Sequence, residues 1–507
     1  MAKTPIIGGV LAAAILFGPA AALANKANDT LVYVSDSDLE NVGPYHNNMR
    51  EGVILMHHVW DGLVLRSVTD GKYVPLLATS WKWIDPTTLE FELRKDVTFH
   101  NGDPFTADDV VFTVNYVLSP DAKVVTKQNV GWMAGAEKVG PYTVRIKLKQ
   151  PFPAAMEYLA AAVPMYPEAY FKKVGLAGFA KAPVGTGPYK VVSVASGQGV
   201  KMVRNDAYMK GSPKGWPKIG KLEFKVIPDG ESRIAELMTG GVDWIWRVPS
   251  DQADSLRAVP EVSVLSSETM RVAFLIFEMH SDDPAMKPFA DERVRKAISM
   301  SIDRPAMVDN LVRGGSRVMN AACFIEQAMC VQDTVAKYAY DPKKAKELLA
   351  AAGYPNGFDT EMYAYRERDY AEAMIGYLQA VGIKAKLNFL KYPAMRGELH
   401  AGKSPITMNT WGSYSVNDAS AFTGNYFKGS PDDRSKDPEV IAWLKDADST
   451  VDEAKRRSLY GKALARISEK AYVFPLFSYS ANYAFTKDLN FQAYPDELPR
   501  FYAASWK

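Results

Sequence analysis

The sequence contains few of the residues that build disulfide frameworks and metal centres. Its 507 residues include two cysteines and six histidines. Cys323 and Cys330 lie within one short segment, CFIEQAMC, which has no histidine nearby. In an exported chain, two close thiols predict a loop-closing disulfide, because a zinc site would need further thiols or a neighbouring histidine. We therefore expect a disulfide between them, no metal site and no cofactor.

Strong net charge, long charge runs and low-complexity tracts are absent as well. The formal net charge is +2, with 47% hydrophobic and 23% charged residues. Such a balance gives no reason to expect a nucleic-acid partner or an acidic membrane surface. A chain of 507 residues is too long for one compact core and predicts two to four domains.

The first 24 residues, MAKTPIIGGVLAAAILFGPAAALA, have the pattern of a secretory signal peptide. One basic residue, Lys3, precedes a short apolar run, and small residues stand before a cleavage site after Ala24. A membrane anchor is the alternative, but glycines and Pro19 interrupt the run, which is shorter than the ~20 apolar residues of a span. We expect a periplasmic, soluble protein that begins at Asn25.

Alternating strands and helices indicate an α/β protein. The segment KLEFKVIPDGESRIAELMTGGVDWIW, residues 221–246, has the pattern of a β-α-β unit with a Gly-Gly stop. In the C-terminal half, YDPKKAKELLAAAGY predicts a helix with Asp341 as N-cap and Pro342 in the first turn. Ligands of such sheets tend to lie in a crevice at the strand ends.

The stretch HNGDPFTADDVVFTVNYVL, from His100 to Leu118, concentrates one histidine and three aspartates, and so raises the question of catalysis. A helix start explains most of them. Thr106 and Asp109 have the spacing of a capping box, with Phe105 and Val110 at the positions of a hydrophobic staple. The acidic side chains near the helix N-terminus interact favourably with the helix dipole. His100 alone is left without a role.

No catalytic motif is found: the sequence has no GxSxG, no Walker loop and no HExxH. Two adjacent carboxylate pairs, Asp282-Asp283 and Asp432-Asp433, stand next to prolines in turn-like segments, where aspartates are usually solvated. A secreted hydrolase that uses such a pair remains the rival hypothesis, although we expect no enzyme.

Five segments in order resemble family 5 of the extracellular solute-binding proteins, the dipeptide, oligopeptide and nickel receptors of ABC importers. The segments are LATSWKWIDPTTLEFELRKDVTFHNGDPFTADDVVFTVNYVL (77–118), APVGTGPYKVV (182–192), MTGGVDWIW (238–246), VAFLIFEMHSDDPAMKPFADERVRKAISMSID (272–303) and YDPKKAKELLAAAGYPNGF (340–358). Each is weak alone, but their common order makes the resemblance specific, and it covers nearly all of the mature chain.

The resemblance implies a bilobed periplasmic binding protein of type II, cluster C, with three domains and a hinge of two strand crossovers near 271–275 and 481–485. The implied boundaries are: signal peptide 1–24; domain I 25–66, 185–272 and 483–507; domain II 67–184; domain III, the ligand-capturing lobe, 273–482. It also implies a monomer that encloses its ligand by lobe closure and delivers it to permease subunits in the inner membrane.

In peptide-binding relatives an acidic residue that holds the ligand's amine follows a Gly-Trp-like strand end. The corresponding segment here is NTWGSYSVNDASAF, in which Trp411 aligns well. The expected aspartate position falls on Tyr414 or Ser415, and the nearest acid is Asp418. This departure makes an α-amine anchor uncertain, although Asp418 could replace it from a shifted loop or simply cap the next turn.

Other candidate ligand contacts come from three further segments. An arginine in YAYRERDY would pair with a ligand carboxylate, as in dipeptide receptors, or belong to a solvated turn. Aromatic rings, hydroxyls and an amide would line a polar pocket, and three residues of domain I stand at strand ends. The complete set of candidates is Ser35, Asp36, Trp246, Arg366, Arg368, Tyr392, Trp411, Ser413, Tyr414, Ser415, Asn417 and Asp418.

The ligand itself stays open at this point. The leading hypothesis is a small peptide or another zwitterionic, peptide-like nutrient. Opines, sugars and nickel or haem complexes are the alternatives for the same receptor fold. A nickel or haem ligand would need histidine contacts, and the segment 409–422 has none, although His400 is close upstream.

Overall fold

The structure is a computed structural model that describes residues 25–39, 41–47 and 49–507. The predicted signal peptide lies outside the described residues. Eighteen strands are found in this part of the chain. In chain order, β1 to β18 are Thr30–Ser35, Val64–Arg66, Tyr73–Pro75, Ala78–Asp85, Thr88–Leu93, Met133–Gly140, Thr143–Leu148, Tyr189–Ala195, Gly199–Arg204, Lys221–Val226, Trp244–Trp246, Val262–Phe277, Phe358–Ala364, Ile383–Phe389, Ile406–Trp411, Val473–Thr486, Leu489–Asn490 and Ser505–Trp506.

Helices alternate with these strands, as the sequence predicts. The α-helices are Arg50–Val59, Ala107–Leu118, Ala155–Ala162, Glu168–Lys181, Gly230–Thr239, Ser250–Arg257, Lys287–Ala290, Glu292–Ser301, Arg304–Met307, Pro342–Ala351, Arg368–Ala380, Tyr392–His400, Ser420–Tyr426, Pro438–Ser449 and Glu453–Glu469, and a π-turn spans Val308–Val312. Within the described ranges, none of the helices combines the length and the apolarity that a membrane crossing requires.

Ten strands form one continuous mixed sheet in the order β14-β13-β15-β12-β16-β11-β1-β10-β9-β8. Its N-terminal part contains the predicted β-α-β unit, because β10 and β11 both pair with β1 in parallel and the helix Gly230–Thr239 connects them. At the other edge, β13 pairs in parallel with β14 and β15. The sequence prediction of partly parallel α/β sheets is confirmed.

Two long antiparallel strands, β12 and β16, connect the halves of the sheet and give the molecule its two lobes. Their pairing is irregular between Glu268 and Phe274, where the register shifts twice. This irregular stretch coincides with the first predicted crossover. The predicted bilobed α/β architecture is therefore confirmed, whereas the exact domain boundaries stay a prediction.

Separate hydrophobic cores support the two lobes. The four-stranded antiparallel sheet β4-β5-β7-β6 belongs to the segment predicted as domain II, and it shares a large core with the helix Arg50–Val59. In the second lobe, buried side chains pack on both faces of the sheet, with Phe274 on one face and Phe277 on the other. Rigid lobes around separate cores are what hinge motion requires.

The stretch from His100 to Leu118 is structural, as its pattern predicts. The helix Ala107–Leu118 begins with a capping box between Thr106 and Asp109, and Val110 packs in the core. His100 also has a structural role: its Nε2 lies 2.9 Å from the carbonyl of Gly187, and its Nδ1 accepts from the backbone N–H of Gly185.

The predicted disulfide between Cys323 and Cys330 is confirmed. Its loop hydrogen-bonds to the segment 416–419 of the same lobe. Gln327 Nε2 donates to the carbonyl of Val416 at 2.8 Å, and the backbone of Ala328 pairs with that of Asn417 and Ala419. The loop therefore fixes residues 416–419, in the second half of the predicted ligand segment.

Candidate functional site

A cleft between the lobes contains two adjoining cavities of about 480 Å³ and 550 Å³. The first, here called the Trp411 cavity, is bounded by residues 36–39, 49 and 50 of the first lobe and by residues 391–393, 410 and 411 of the second. The second, the Asn310 cavity, lies along residues 248–251, 310, 311, 313 and 479–482. The two share Asp36, Arg247, Tyr365 and Arg366, and each is in the size range of a small-molecule site.

The wall contributed by the first lobe carries an ion pair between Asp36 and Arg247. Asp36 follows β1, Arg247 follows β11, and their side chains meet at 2.8 Å because these strands are parallel neighbours. The guanidinium stacks on the ring of Trp246 at 4.2 Å and also contacts Glu51 at 3.2 Å. Burial would raise the pKa of Asp36, but Arg247 and other nearby arginines lower it to about 2, so this carboxylate is ionised.

The second lobe faces this pair with an ion pair of its own. Arg366 binds Glu367 with two hydrogen bonds and lies over the ring of Tyr479 at 4.8 Å. Tyr479 in turn donates its hydroxyl to Glu367 at 3.1 Å. Since Arg366 is among the groups that lower the pKa of Asp36, the two pairs interact across the cleft.

A third ionic group joins both lobes beside the two cavities, with Arg50 and Arg271 lining the Trp411 cavity and Glu497 lining the Asn310 cavity. The buried carboxylate of Glu497 is bound by Arg271 through Nε at 2.9 Å and by Arg50 at 3.1 Å. Arg271 also donates at 3.1 Å to Thr410, which lies on β15 at the start of the ligand segment. Burial would raise the pKa of Glu497, but Arg271 and Arg50 lower it to about 2.

Aromatic side chains form the opposite, less polar face of the Trp411 cavity. The rings of Tyr365 and Tyr392 lie 4.9 Å apart, and the Tyr365 hydroxyl bonds to Thr410 at 2.7 Å. Trp411 lines the same cavity and is fixed by a hydrogen bond from its Nε1 to the carbonyl of Ala421. Flat rings beside charged groups suit an amphipathic ligand.

Three consecutive buried residues, Ser413, Tyr414 and Ser415, have left-handed backbone angles, with φ between 51° and 63°. Residues other than glycine adopt this conformation at a cost of ~1–2 kcal/mol each. Contacts with the first lobe hold the turn: Tyr414 donates to the carbonyl of Pro44, and Arg50 donates to Ser415. Such strain is typical of ligand-binding and closing segments.

Four of the predicted ligand residues line the cleft, namely Asp36, Arg366, Tyr392 and Trp411. Four others lie in the contact between the lobes: Ser413, Tyr414 and Ser415 form the turn just described, and the backbone N–H of Asn417 donates to Glu157 at 2.6 Å. These contacts place residues 413–417 beside the cavity rather than inside it.

The remaining four candidates have other partners. Asp418 accepts two hydrogen bonds from Arg456 at 2.9 and 3.0 Å, in a buried ion pair away from the cavity lining. Arg368 is exposed and pairs with Glu372. The last two candidates, Ser35 and Trp246, bond to each other: Ser35 accepts from the Trp246 indole at 3.0 Å and donates to Glu51 at 2.6 Å. These bonds stabilise the Asp36–Arg247 wall on the side away from the cavity.

Several cleft residues were missing from the sequence prediction. They are Arg50, Arg247, Arg271, Tyr365, Thr410 and Glu497. Arg247 stands directly after the strand that contains Trp246, so the strand-end rule that selected Trp246 could have found it. Arg271 and Glu497 are 226 residues apart in sequence, and no local pattern connects them.

The carboxylate pairs of the rival hydrolase hypothesis lie elsewhere. Asp283 caps a turn through its hydrogen bond from Ala285, and Asp432 binds Arg396 and His400. Over the ranges that the structure describes, no group of three or more His, Cys, Asp or Glu side chains is arranged to hold a metal ion.

Comparison with known proteins agrees with this geometry. The model of the bacterial extracellular solute-binding proteins, family 5, matches residues 72–434. The glutathione-binding protein GsiB of Escherichia coli K12 is 29% identical over 397 residues, which cover 76% of this chain and 74% of that protein.

Solved structures share the whole architecture. A dipeptide-binding protein from Pseudoalteromonas sp. SM9913, in complex with Met-Leu, superposes with a TM-score of 0.84 at 22% identity, over 94% of this chain and 100% of that one. The binding protein AgaA from A. tumefaciens R10, in complex with agropinic acid, superposes with a TM-score of 0.81 at 25% identity, over 94% and 99% of the two chains.

The two lobes, the connecting strands and the polar cleft between them define a ligand-binding receptor. The chain belongs to family 5 of the bacterial extracellular solute-binding proteins.

Proposed function

We propose that this protein is the exported receptor of an ABC importer and captures a small peptide, or a peptide-like solute with a free carboxylate, between its two lobes. The receptor acts as a monomer in the periplasm, returns its ligand chemically unchanged and delivers it to the permease subunits in the inner membrane. The observation that carries this proposal is the composition of the Trp411 cavity, where five cationic side chains and two carboxylates stand opposite aromatic rings.

Both charges of a peptide find a counterpart there. Asp36 is ionised and lines the cavity, so it can bind a ligand ammonium in place of Asp418, which is bound to Arg456. Arg50, Arg247, Arg271 and Arg366 give the cavity a positive field for a carboxylate, and guanidinium groups bind carboxylates with defined geometry.

The relatives support the same ligand class. GsiB is named for glutathione, a tripeptide, and the solved neighbours hold a dipeptide and agropinic acid, which are carboxylate compounds. A neutral sugar would gain nothing from the positive field of the four arginines, and this disfavours it.

Thermal-shift and tryptophan-fluorescence titrations of the purified protein test the proposal. We expect saturable binding, micromolar or tighter, from members of a panel of dipeptides, tripeptides, glutathione and opines, and none from sugars or Ni²⁺. The Trp411→Phe variant is the matched control, since it keeps an aromatic wall but removes the indole that reports on the cavity. Binding of sugars or Ni²⁺ alone would contradict the proposal.

A further inference from the structure

One surface of the second lobe docks on the first lobe outside both cavities. It consists of residues 414–425, here called the latch segment, which follow β15 and include most of the helix Ser420–Tyr426. The first-lobe residues that contact the latch segment and line neither cavity are Pro44, Gln128, Glu157 and Tyr158. A ligand confined to the two cavities would therefore make no contact with these four residues.

The carboxylate of Glu157 is positioned to receive the latch segment. It is buried and is held from within the first lobe by the hydroxyl of Tyr73 at 2.9 Å and by Arg66 at 3.3 Å. Its Oε1 also accepts the backbone N–H of Asn417, in the second lobe, at 2.6 Å. Burial raises the pKa of Glu157, and these three donors oppose that rise. The N–H of Asn417 therefore stabilises the charged form of a buried carboxylate, which favours the docked position.

Two further polar contacts join the latch segment to the first lobe. The hydroxyl groups of Tyr158 and Ser420 lie 3.1 Å apart, and both residues are buried. Gln128 Nε2 donates to Oδ1 of Asn425 at 2.8 Å. Together with the Asn417 contact, these bonds extend along most of the latch segment.

Apolar side chains of the latch segment pack in the core of the first lobe. Tyr414, Val416 and Ala421 are buried in the same hydrophobic cluster as the helix Arg50–Val59. Their removal from water stabilises the closed arrangement of the lobes. This contribution needs no ligand, because the partners are protein side chains.

The second lobe holds the latch segment in shape from the opposite side. The disulfide loop bonds to residues 416–419, and the buried ion pair of Asp418 with Arg456 anchors the same stretch. Arg456 belongs to the helix Glu453–Glu469 of the second lobe. The latch segment therefore moves with the second lobe and presents a preformed surface to the first.

We propose that the latch segment closes the two lobes before a ligand binds, so that the closed form is the major form of the ligand-free receptor. The latch contacts are made between protein groups alone, and they contribute to closure with or without a ligand in the cleft. Since a ligand can enter only the open form, the latch limits the fraction of receptors that can admit it at any moment. The inference goes beyond the proposed function, because it does not depend on the identity of the ligand.

Small-angle X-ray scattering of ligand-free protein tests the latch. The purified protein is unfolded in guanidinium without reductant, dialysed and refolded, and mass spectrometry checks that no small molecule is retained. The double variant Gln128→Ala/Tyr158→Phe removes two hydrogen bonds between the lobes. Tyr189→Phe is the matched control, because the buried hydroxyl that it removes bonds to the carbonyl of Ile219 within the first lobe.

We expect the ligand-free wild type and Tyr189→Phe to give the scattering profile calculated from the closed structure. Each lost hydrogen bond should shift the ratio of closed to open molecules on the order of fivefold. The double variant should therefore have a larger radius of gyration and faster hydrogen exchange at the amide of Asn417. If it does not refold, Gln128→Ala alone, at a half-buried position, takes its place with the same expectation.

Two results would overturn the latch. One is an open scattering profile for the ligand-free wild type. The other is a double variant whose profile and Asn417 exchange equal those of Tyr189→Phe. Either result would leave the proposed receptor function standing, because ligand binding is not part of the measurement.

Discussion

Glu497→Gln tests whether the buried ionic group at the base of the cleft holds the two lobes together. The carboxylate of Glu497 is 3% exposed and lies between Arg50 and Arg271, at 3.1 and 2.8 Å. The glutamine keeps the shape of the side chain and removes the charge. Two buried guanidinium groups would then face each other without an anion.

The expected loss follows from the pKa of the carboxyl group. A pKa lowered from 4.5 to about 2 corresponds to about 3 kcal/mol of stability. Removal of one partner from a buried ion pair typically costs ~3–5 kcal/mol, a range that agrees with the value from the pKa. We therefore expect Glu497→Gln to lower the free energy of unfolding by about 3 kcal/mol at pH 7.

The pH dependence has a definite sign. Because folding lowers the pKa of Glu497, its contribution is complete above 4.5 and is lost as the pH falls toward 2. Glutamine does not titrate, so the difference between wild type and variant should narrow below pH 4.5.

Urea unfolding, followed by tryptophan fluorescence between pH 7 and pH 3, measures this difference. Glu326→Gln is the matched control, because its ion pair with Arg317 is exposed and should contribute less than ~1 kcal/mol. The reasoning would be refuted if Glu497→Gln lowered the free energy of unfolding no more than this control does. It would also be refuted if the decrease were the same at every pH.

Three further predictions follow from other contacts. Asp36→Asn should weaken the binding of peptides with a free amine at least tenfold in titration calorimetry and leave the binding of N-acetylated peptides unchanged. An equal loss of affinity for both would exclude Asp36 as the amine partner. In Gly412→Ala the new methyl group would lie 2.2 Å from Arg50 Nη2, so ligand affinity and thermal stability should both fall, whereas Gly376→Ala, which meets nothing within 4 Å, should have neither effect. Cys323→Ser should lower the free energy of unfolding by ~2–3 kcal/mol in urea titrations, as expected for a short closed loop, and an unchanged midpoint would contradict this estimate.

Local chemistry made much of the fold predictable. The capping box at Thr106 and Asp109, the β-α-β unit of residues 221–246 and the disulfide all depend on residues close together in sequence. Short-range hydrogen bonds and hydrophobic periodicity decide such features, so the sequence pattern already contains them.

The cleft was only partly predictable because its charged groups meet through the tertiary fold. Asp36 and Arg247 are adjacent only because β1 and β11 are neighbours in the sheet, and Arg271 reaches Glu497 only through the packing of the C-terminal segment. Asp418 illustrates the opposite case: its position near Trp411 suggests a ligand contact, but Arg456, distant in sequence, binds it.

The most direct test of the central claim is the identity of the molecule that the receptor selects from a mixture. The purified protein would be incubated with a hydrolysate that contains peptides, sugars and Ni²⁺, then washed and denatured, and the released ligand would be identified by mass spectrometry. The account predicts an intact peptide or peptide-like compound with a free carboxylate, at close to one molecule per protein. Release of a sugar, of nickel without a carboxylate ligand, or of nothing above the level of a denatured control would contradict it.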